Sequence, residues 1–441
     1  MADEGDRLSE DDARILALES AVLTGHTLKL MILAPGTPLD LDALRESVSA
    51  RLPAQPRATE RVANSVGVTG DATDEPRWVP ATDFDITEHV RRRAGAECAT
   101  RADLRRVLGE LMSEHLDRSR PLWTLDLIGP LADGTEAIAA RMHHAMVDGI
   151  AGLRFLEGIL LDPHDAPMHP VGARAAAADP TRREEWRRMP GVVVRELGRP
   201  ASRSPFDKPI TIARELAFTS APLEGLKAIG ASRPAHATVN DVLLAIVSGG
   251  LSTWLGEHHP GRDVRARVPV SLHHRDEDAT DLGNRDSFID VDLYLGEPDP
   301  LRRLDRISAH TRTEKQLDDA ALLYDLFHAL GRLGKAGDLA RRIAGSAREF
   351  SVAVSNVPGP RYVVSVAGRR VEQLFSSSEP AAHHALRVAA ISNAGEVGIG
   401  FCTDPTALPE VHALADAVAD SYLELDRAAS AGHDSPRHTP T

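Results

Sequence analysis

The chain has 441 residues, with 65 acidic and 51 basic side chains and a formal net charge of −14, a length that favours two or three domains. Its 42% hydrophobic and 26% charged residues are those of a globular chain rather than a disordered one, and the net acidity argues against nucleic acid as a partner. No apolar run approaches the roughly eighteen residues of a membrane-spanning helix, the acidic stretch from Met1 to Asp6 lacks the apolar core of a signal peptide, and two cysteines, Cys98 and Cys402, exclude a disulfide framework and a cysteine zinc cage.

Ser9 is placed to cap a helix running to Glu19, with Asp11 and Asp12 in its first turn and Ile15, Leu16 and Leu18 on its apolar face. Thr27 to Leu33 reads as a strand, and a helix follows Asp40 and stops before Pro53. Residues 54–75 are turn-rich and without periodicity, and Phe84, Ile86 and Val90 alternate as a strand does. Asp103 to Leu116 predicts a helix with Leu104, Val107, Leu108 and Leu111 on one stripe. Leu122 to Ile128 and Ala137 to Met142 predict strands, and Asp148 to Leu161 a helix.

Farther on, a helix is expected from Asn240 to Leu255, strands around Val268 and Val270 and over Phe288 to Leu295, and helices over 301–312, 320–330 and 339–347. Strands return at 350–354, 362–366, 386–391 and 397–401, before a last helix over 409–427 and a polar tail expected to be disordered. The mixture is α/β or α+β. The expected division is a domain over 1–170, a linker over 171–208, a second domain over 209–429 and a tail over 430–441.

The linker departs from the acidic average. Between Gly172 and Lys208 nine basic side chains face five acidic ones, with Pro180, Pro190, Pro200 and Pro205 breaking any long helix. It reads either as a solvated connection or as a surface for anionic lipid headgroups or the phosphates of a bound molecule. Trp186 and Val192 to Val194 make weak membrane docking plausible.

Nineteen histidines include adjacent pairs at 143–144, 258–259, 273–274 and 383–384, and three of these are followed at like spacing by Asp148, Asp263 and Asp278. His258 and His259 sit in a Pro-Gly turn and His273 and His274 in a charged run. His383 and His384 have no aspartate at that spacing. The segment His143-His144-Ala145-Met146-Val147-Asp148-Gly149 differs, because it joins an apolar strand to an apolar helix and can project an imidazole into a cleft on a firm backbone. Three readings stand: a catalytic imidazole, a core histidine satisfied by backbone groups, and a metal ligand, which lacks an obvious third or fourth partner.

These residues resemble a known family. The 143–149 segment is similar to the HHxxxDG signature of chloramphenicol-acetyltransferase-like acyltransferases and condensation domains. Pro121-Leu122-Trp123 resembles the PLW motif of bacterial wax ester synthase/diacylglycerol acyltransferases, and Asn240-Asp241 their ND motif. Val268-Pro269-Val270-Ser271 with Gly283-Asn284 is similar to a further block, Ser355-Asn356-Val357-Pro358-Gly359-Pro360 to their SNVPGP turn, and the stretch from Leu8 to Glu19 to their opening helix. The motifs occur in the family's order over residues 8–427. The pattern departs at His273, where relatives often carry arginine.

The resemblance implies two chloramphenicol-acetyltransferase-like domains with the active site in the channel between them. It implies an O-acyltransferase that moves a fatty acyl group from acyl-CoA to diacylglycerol or a long-chain alcohol, with His144 as general base. Asp148 could orient His144 from its i+4 position, whereas the resemblance implies an ion pair with an arginine. His143, Gly149, Pro121, Leu122, Trp123, Asn240, Asp241, Ser355 and Asn356 are the expected substrate-binding residues. Asn240 reads as an oxyanion donor or as a helix N-cap, and Asn356 is expected in a turn near the domain interface. No cofactor or metal is expected beyond acyl-CoA as substrate, and the expected location is cytoplasmic, at the inner face of a membrane or on lipid droplets. The competing readings are a condensation-type enzyme acting on carrier-bound thioesters and a non-catalytic lipid-binding relative.

Overall fold

The computed structural model describes residues 5–66, 72–93, 100–147, 149–164, 204–256, 264–271, 286–317 and 350–431. Strand β1, His26–Leu33, is buried along its whole length because both of its faces are covered. It lies inside a six-stranded sheet ordered β11 (Ser365–Val366), β12 (Arg369–Ser378), β1, β6 (Glu136–His143), β5 (Trp123–Ile128) and β4 (Val90–Arg92). Only the β4–β5 pair is parallel.

Alternation along a strand sends successive side chains to opposite faces, and the two faces of this sheet have different cores. Met31, Leu33, Trp123, Leu125, Ile138 and Met142 face one core, which includes Leu44 and Val48 of helix α2 (Leu41–Arg51) and Phe155 of α5 (Gly149–Ile159). Leu28, Leu30, Ile32, Ala137 and Ala139 face the other, with Leu104, Val107, Leu108 and Leu111 of α4 (Arg101–Met112). The N-terminal α1, Glu10–Leu18, is capped by the Ser9 hydroxyl, which accepts from the Asp12 N–H. A short α3, Ile86–His89, precedes β4.

A second six-stranded sheet runs β7 (Glu215–Pro222), β14 (Glu396–Thr403), β13 (Leu386–Asn393), β10 (Val352–Val357), β8 (Arg265–Ser271) and β9 (Asp286–Asp292). Its core is completed by α6 (Leu223–Ser232), α7 (Val239–Leu255), α8 (Pro300–Leu317) and α9 (Val411–Ala431). Gly250 in α7 lets α9 approach: a Cβ there would lie 2.3 Å from Val418 Cγ2. Gly398 and Gly400 likewise let β14 reach the β12 backbone, since a Cβ at either would lie 2.1 Å from the carbonyl oxygen of Leu374 or Ser376. The two sheets therefore meet backbone to backbone at β12 and β14.

The structure adds elements that local pattern conceals. Residues 60–66 and 72–80, within and beyond the stretch expected to be irregular, form a β2–β3 hairpin (Glu60–Val66 with Ala72–Pro80). The expected strand at 84–90 is a helical turn leading into β4. Strands β11 and β12 belong to the second half of the sequence but complete the first sheet, so the sheets cross the expected domain boundaries. The helices expected over 320–330 and 339–347, most of the linker and the polar tail lie outside the described residues.

Candidate active site

The histidine pair sits where β6 ends and α5 begins. Three backbone hydrogen bonds fix this corner. The His143 N–H donates to the Leu122 carbonyl at 3.0 Å, the His144 N–H donates to the Gly25 carbonyl at 2.8 Å, and the Met146 N–H donates back to the His143 carbonyl at 2.9 Å. Leu122, Gly25 and β6 thus hold the corner from three directions.

The two imidazoles have different surroundings. His143 is 1% exposed and its Nδ1 accepts from the Ala145 N–H at 3.0 Å. In the neutral ring the proton is therefore on Nε2, on the side of Glu19 Oε2, 4.0 Å away. Gly25, with φ of +71°, leaves the space for that ring: a Cβ would lie 2.2 Å from His143 Nε2. His143, expected among the substrate-binding residues, is turned into the interior and shapes the corner. His144 is half-buried. Burial, followed by the nearby Arg387 guanidinium and Lys29 ammonium, pushes its pKa down to about 3, so the ring is neutral at ordinary pH. Burial also lowers His143 to about 3.

Lys29 and Arg387 reach this corner from the two sheets. Lys29 is buried on β1, its Nζ donating to Ser376 Oγ of β12 at 2.7 Å, and Arg387 lies on β13. Neither was singled out by motif. His26 faces His143 across the β1–β6 pair. It is fully buried, and burial holds its pKa well below the usual value.

Pro121, Leu122 and Trp123 stand behind the corner. All three are buried. The Trp123 indole N–H donates to the Ala58 carbonyl at 2.8 Å, and its ring packs on His89 and edge-on to Phe155. Their part is to brace β5 and, through the Leu122 carbonyl, the His143 backbone.

Gly149 opens α5 against the second sheet: a Cβ there would lie 2.8 Å from Val357 Cγ2 at the end of β10. Ser355 and Asn356 are half-buried on the same strand, opposite Ala389 and Ala390 of β13. Asn356 is thus in a strand, and the turn expected there begins at Pro358. The Gly359 N–H donates to Ser392 Oγ at 2.8 Å, which fastens that turn to β13.

Asn240 and Asp241 part company. The cap of α7 is Thr238, not Asn240: the Thr238 hydroxyl accepts from the Asp241 N–H at 3.2 Å, and Asp241 Oδ2 accepts from the Thr238 N–H at 2.8 Å. Asp241 also accepts from Thr311 Oγ1 at 2.6 Å and Ser308 Oγ at 3.3 Å. Asp241 is therefore a buried tie between α7 and α8, while Asn240 is half-buried at the second helical position. Asp148, His273, Gly283 and Asn284 lie outside the described residues. Among the described residues no group of three or more His, Cys, Asp or Glu could hold a metal ion.

The family profile described as the wax ester synthase/diacylglycerol acyltransferase catalytic domain matches residues 8–199, and its C-terminal domain matches residues 282–426. A Mycobacterium tuberculosis protein named for diacylglycerol O-acyltransferase activity is 31% identical over 393 residues, covering 79% of this chain and 76% of that protein. Another from the same organism, similarly named, is 27% identical over 456 residues, covering 96% and 99%. Among solved structures, the wax ester synthase/diacylglycerol acyltransferase from Marinobacter aquaeolei VT8 superposes with a TM-score of 0.71 at 22% identity, over 96% of this chain and 100% of that one. The first condensation domain of the CDA synthetase shares the fold, with a TM-score of 0.58 at 15% identity over 99% and 98%.

Proposed function

The chain belongs to the wax ester synthase/diacylglycerol acyltransferase family and is an O-acyltransferase of triacylglycerol or wax ester synthesis, and from this premise we propose that His144 is its general base. The reaction joins an alcohol to a thioester. As the hydroxyl oxygen attacks the carbonyl carbon, His144 takes the hydroxyl proton, the new C–O bond forms, the C–S bond breaks, and the proton passes to the departing CoA thiolate. Base catalysis of this kind contributes about 10²–10⁴-fold. No acyl-enzyme is required, and acyl-CoA is a substrate, so the reaction needs no further cofactor.

The observation that carries this reading is the placement of His144 at the end of β6. The residue is half-buried, its backbone N–H is fixed on the Gly25 carbonyl and its ring is uncharged, beside a His143 that is turned into the interior. Gly149 and the strand carrying Ser355 and Asn356 bring the second sheet to the same corner, where a tetrahedral intermediate is enclosed between the two halves. Diacylglycerol and long-chain alcohols are the acceptors this chemistry takes.

Among the described residues no helix is long and apolar enough to cross a membrane. Access to lipid substrate is through peripheral contact with a membrane or lipid droplet, for which the basic stretch from Arg174 to Lys208 supplies the charge. The deciding experiment incubates purified protein with labelled palmitoyl-CoA and either diacylglycerol or hexadecanol, followed by lipid separation. Labelled ester is expected, and its loss in His144→Ala. Ester formed only from a carrier-bound thioester would replace this reading with the condensation-type one.

A further inference from the structure

Glu379 follows β12 and lies far from every motif, yet its carboxylate closes on the loop that holds the histidine corner. Its Oε1 accepts from the Gly25 N–H at 2.6 Å, and Oε2 accepts from the Thr24 N–H at 2.7 Å and from Thr24 Oγ1 at 3.1 Å. The side chain is 12% exposed, and the fully buried Arg214 guanidinium lies 3.7 Å away to balance its charge. Arg214 is itself anchored on backbone carbonyls, donating to Ala213 at 2.9 Å and to Val22. The peptide so clamped then acts on the site in two ways: the Gly25 carbonyl accepts the His144 N–H, and Gly25, lacking a Cβ, admits the His143 ring. The geometry points to Glu379 as a positioning residue for acyl transfer, clamping the Thr24–Gly25 peptide and through its carbonyl setting the backbone of the base.

Charge-assisted bonds to three donors are stronger than neutral ones, and they tie the segment after β12 to the loop before β1. Glutamine cannot replace them. Its one oxygen can face Gly25 or Thr24 but not both, and its NH₂ then meets an N–H with nothing to accept. Loss of the clamp lets the Gly25 carbonyl shift, and displacement of a catalytic group by about 1 Å costs on the order of a hundredfold in rate.

This inference rests on the reading of His144 as base, and the test separates the two. For Glu379→Gln we expect kcat with palmitoyl-CoA and diacylglycerol to fall about 10–100-fold, with KM for palmitoyl-CoA unchanged and the loss persisting when rates are referred to the folded fraction. If His144→Ala is inactive while Glu379→Gln turns over at the wild-type rate, the positioning role alone is overturned. A loss confined to KM, or one that vanishes after correction for folded fraction, overturns it equally. If His144→Ala keeps wild-type turnover, it is the base assignment that fails. Should Glu379→Gln not fold, Thr24→Val decides, since it removes only the hydroxyl donor. Its kcat, referred to the folded fraction, is expected to fall about two- to fivefold, and a wild-type kcat would overturn the role.

Discussion

Gly149 and Val357 touch across the two halves of the chain: a Cβ on the glycine would stand 2.8 Å from Val357 Cγ2. The first residue of α5 and the last residue of β10 can meet only because one of them has no side chain. Valine is stiff at χ1, so it cannot swing aside freely. Gly149→Ala is expected to push β10 away from the histidine corner, costing about 1–3 kcal/mol of stability and at least about tenfold in esterification. Val357→Ala in the same chain should restore most of both. Melting curves and initial rates on the three variants check this, and a Gly149→Ala protein with wild-type rate and melting would show that the contact has slack.

His144 is already neutral above about pH 4, because burial holds its pKa at about 3. A base that needs no deprotonation gives no acid limb near the ordinary imidazole value of about 6.5. We therefore expect kcat/KM for palmitoyl-CoA to be flat between about pH 5 and 8 wherever the protein stays folded. His144→Ala should remove esterification while the protein still folds at neutral pH, where the ring carries no charge. A limb near pH 6.5 in the wild-type profile would mean that the ring carries an ordinary pKa.

The same burial acts on stability. His26, His143 and His144 all titrate lower in the folded chain than in the unfolded one, and His89, stacked between Phe84 and Trp123, is held at about 4. Their contribution to stability is complete above the unfolded value of about 6.5 and is lost as pH falls toward the folded values, because the unfolded chain takes up protons that the folded chain refuses. Each such group changes stability by roughly 1.4 kcal/mol per pH unit within that window. The melting temperature should fall steadily from about pH 6.5 to 4.5. Among the described residues His26 has no hydrogen-bond partner on either ring nitrogen, so His26→Leu should flatten that decline by about one proton. An equally steep decline in the variant would place the proton uptake elsewhere.

How much of this was legible follows from where each residue finds its partner. The corner at 143–149 could be read because strand, turn and helix are consecutive and each has its own period. The same holds for α4 and α7, although the cap of α7 lay two residues before the asparagine that attracted notice. Strand β12 could not be read. Arg369, Arg370, Glu372, Gln373 and three serines make its sequence look like a surface loop, and what buries it is β1, with Ser378 opposite Thr27 across nearly the whole chain. Ser376 is buried because Lys29 reaches it, and neither residue predicts the other. Glu379 is hidden for the same reason. Trp123 is legible only in part: its motif marks it for the acyl channel or the core, but the partner that satisfies its indole, the distant Ala58 carbonyl, has no signal in the local sequence.

The basic stretch from Arg174 to Lys208 invites a test by charge alone. Each cation near an anionic surface contributes about 1 kcal/mol, so several facing one way outweigh the chain's net acidity locally. Binding to vesicles containing phosphatidylglycerol should be present at low salt and weaken as salt rises. Charge reversal at Arg182, Arg183, Arg187 and Arg188 should reduce it at least about tenfold. Lys208 is best left unchanged, since its Nζ donates to the Ala407 carbonyl at 2.9 Å and its loss would disturb the second core. Vesicle binding indifferent to the four reversals would leave the stretch as a connection between domains.

Asn240 and Asp241 are neighbours in one motif, and the structure separates what each should do. Asp241 is buried, with both oxygens engaged by Thr238, Ser308 and Thr311. Asp241→Ala removes a capping box and leaves those hydroxyls without their acceptor, which costs about 2–4 kcal/mol in combination. Its melting temperature should fall well below wild type, with activity falling only as far as the folded fraction does. Asn240 makes no part of that cap and is half-buried at the start of α7. If its amide steadies the developing oxyanion, Asn240→Ala should melt like wild type and lose about a hundredfold in kcat. The opposite pairing, a stable Asp241→Ala and an unstable Asn240→Ala, would mean that the carboxylate serves the reaction and the amide the helix.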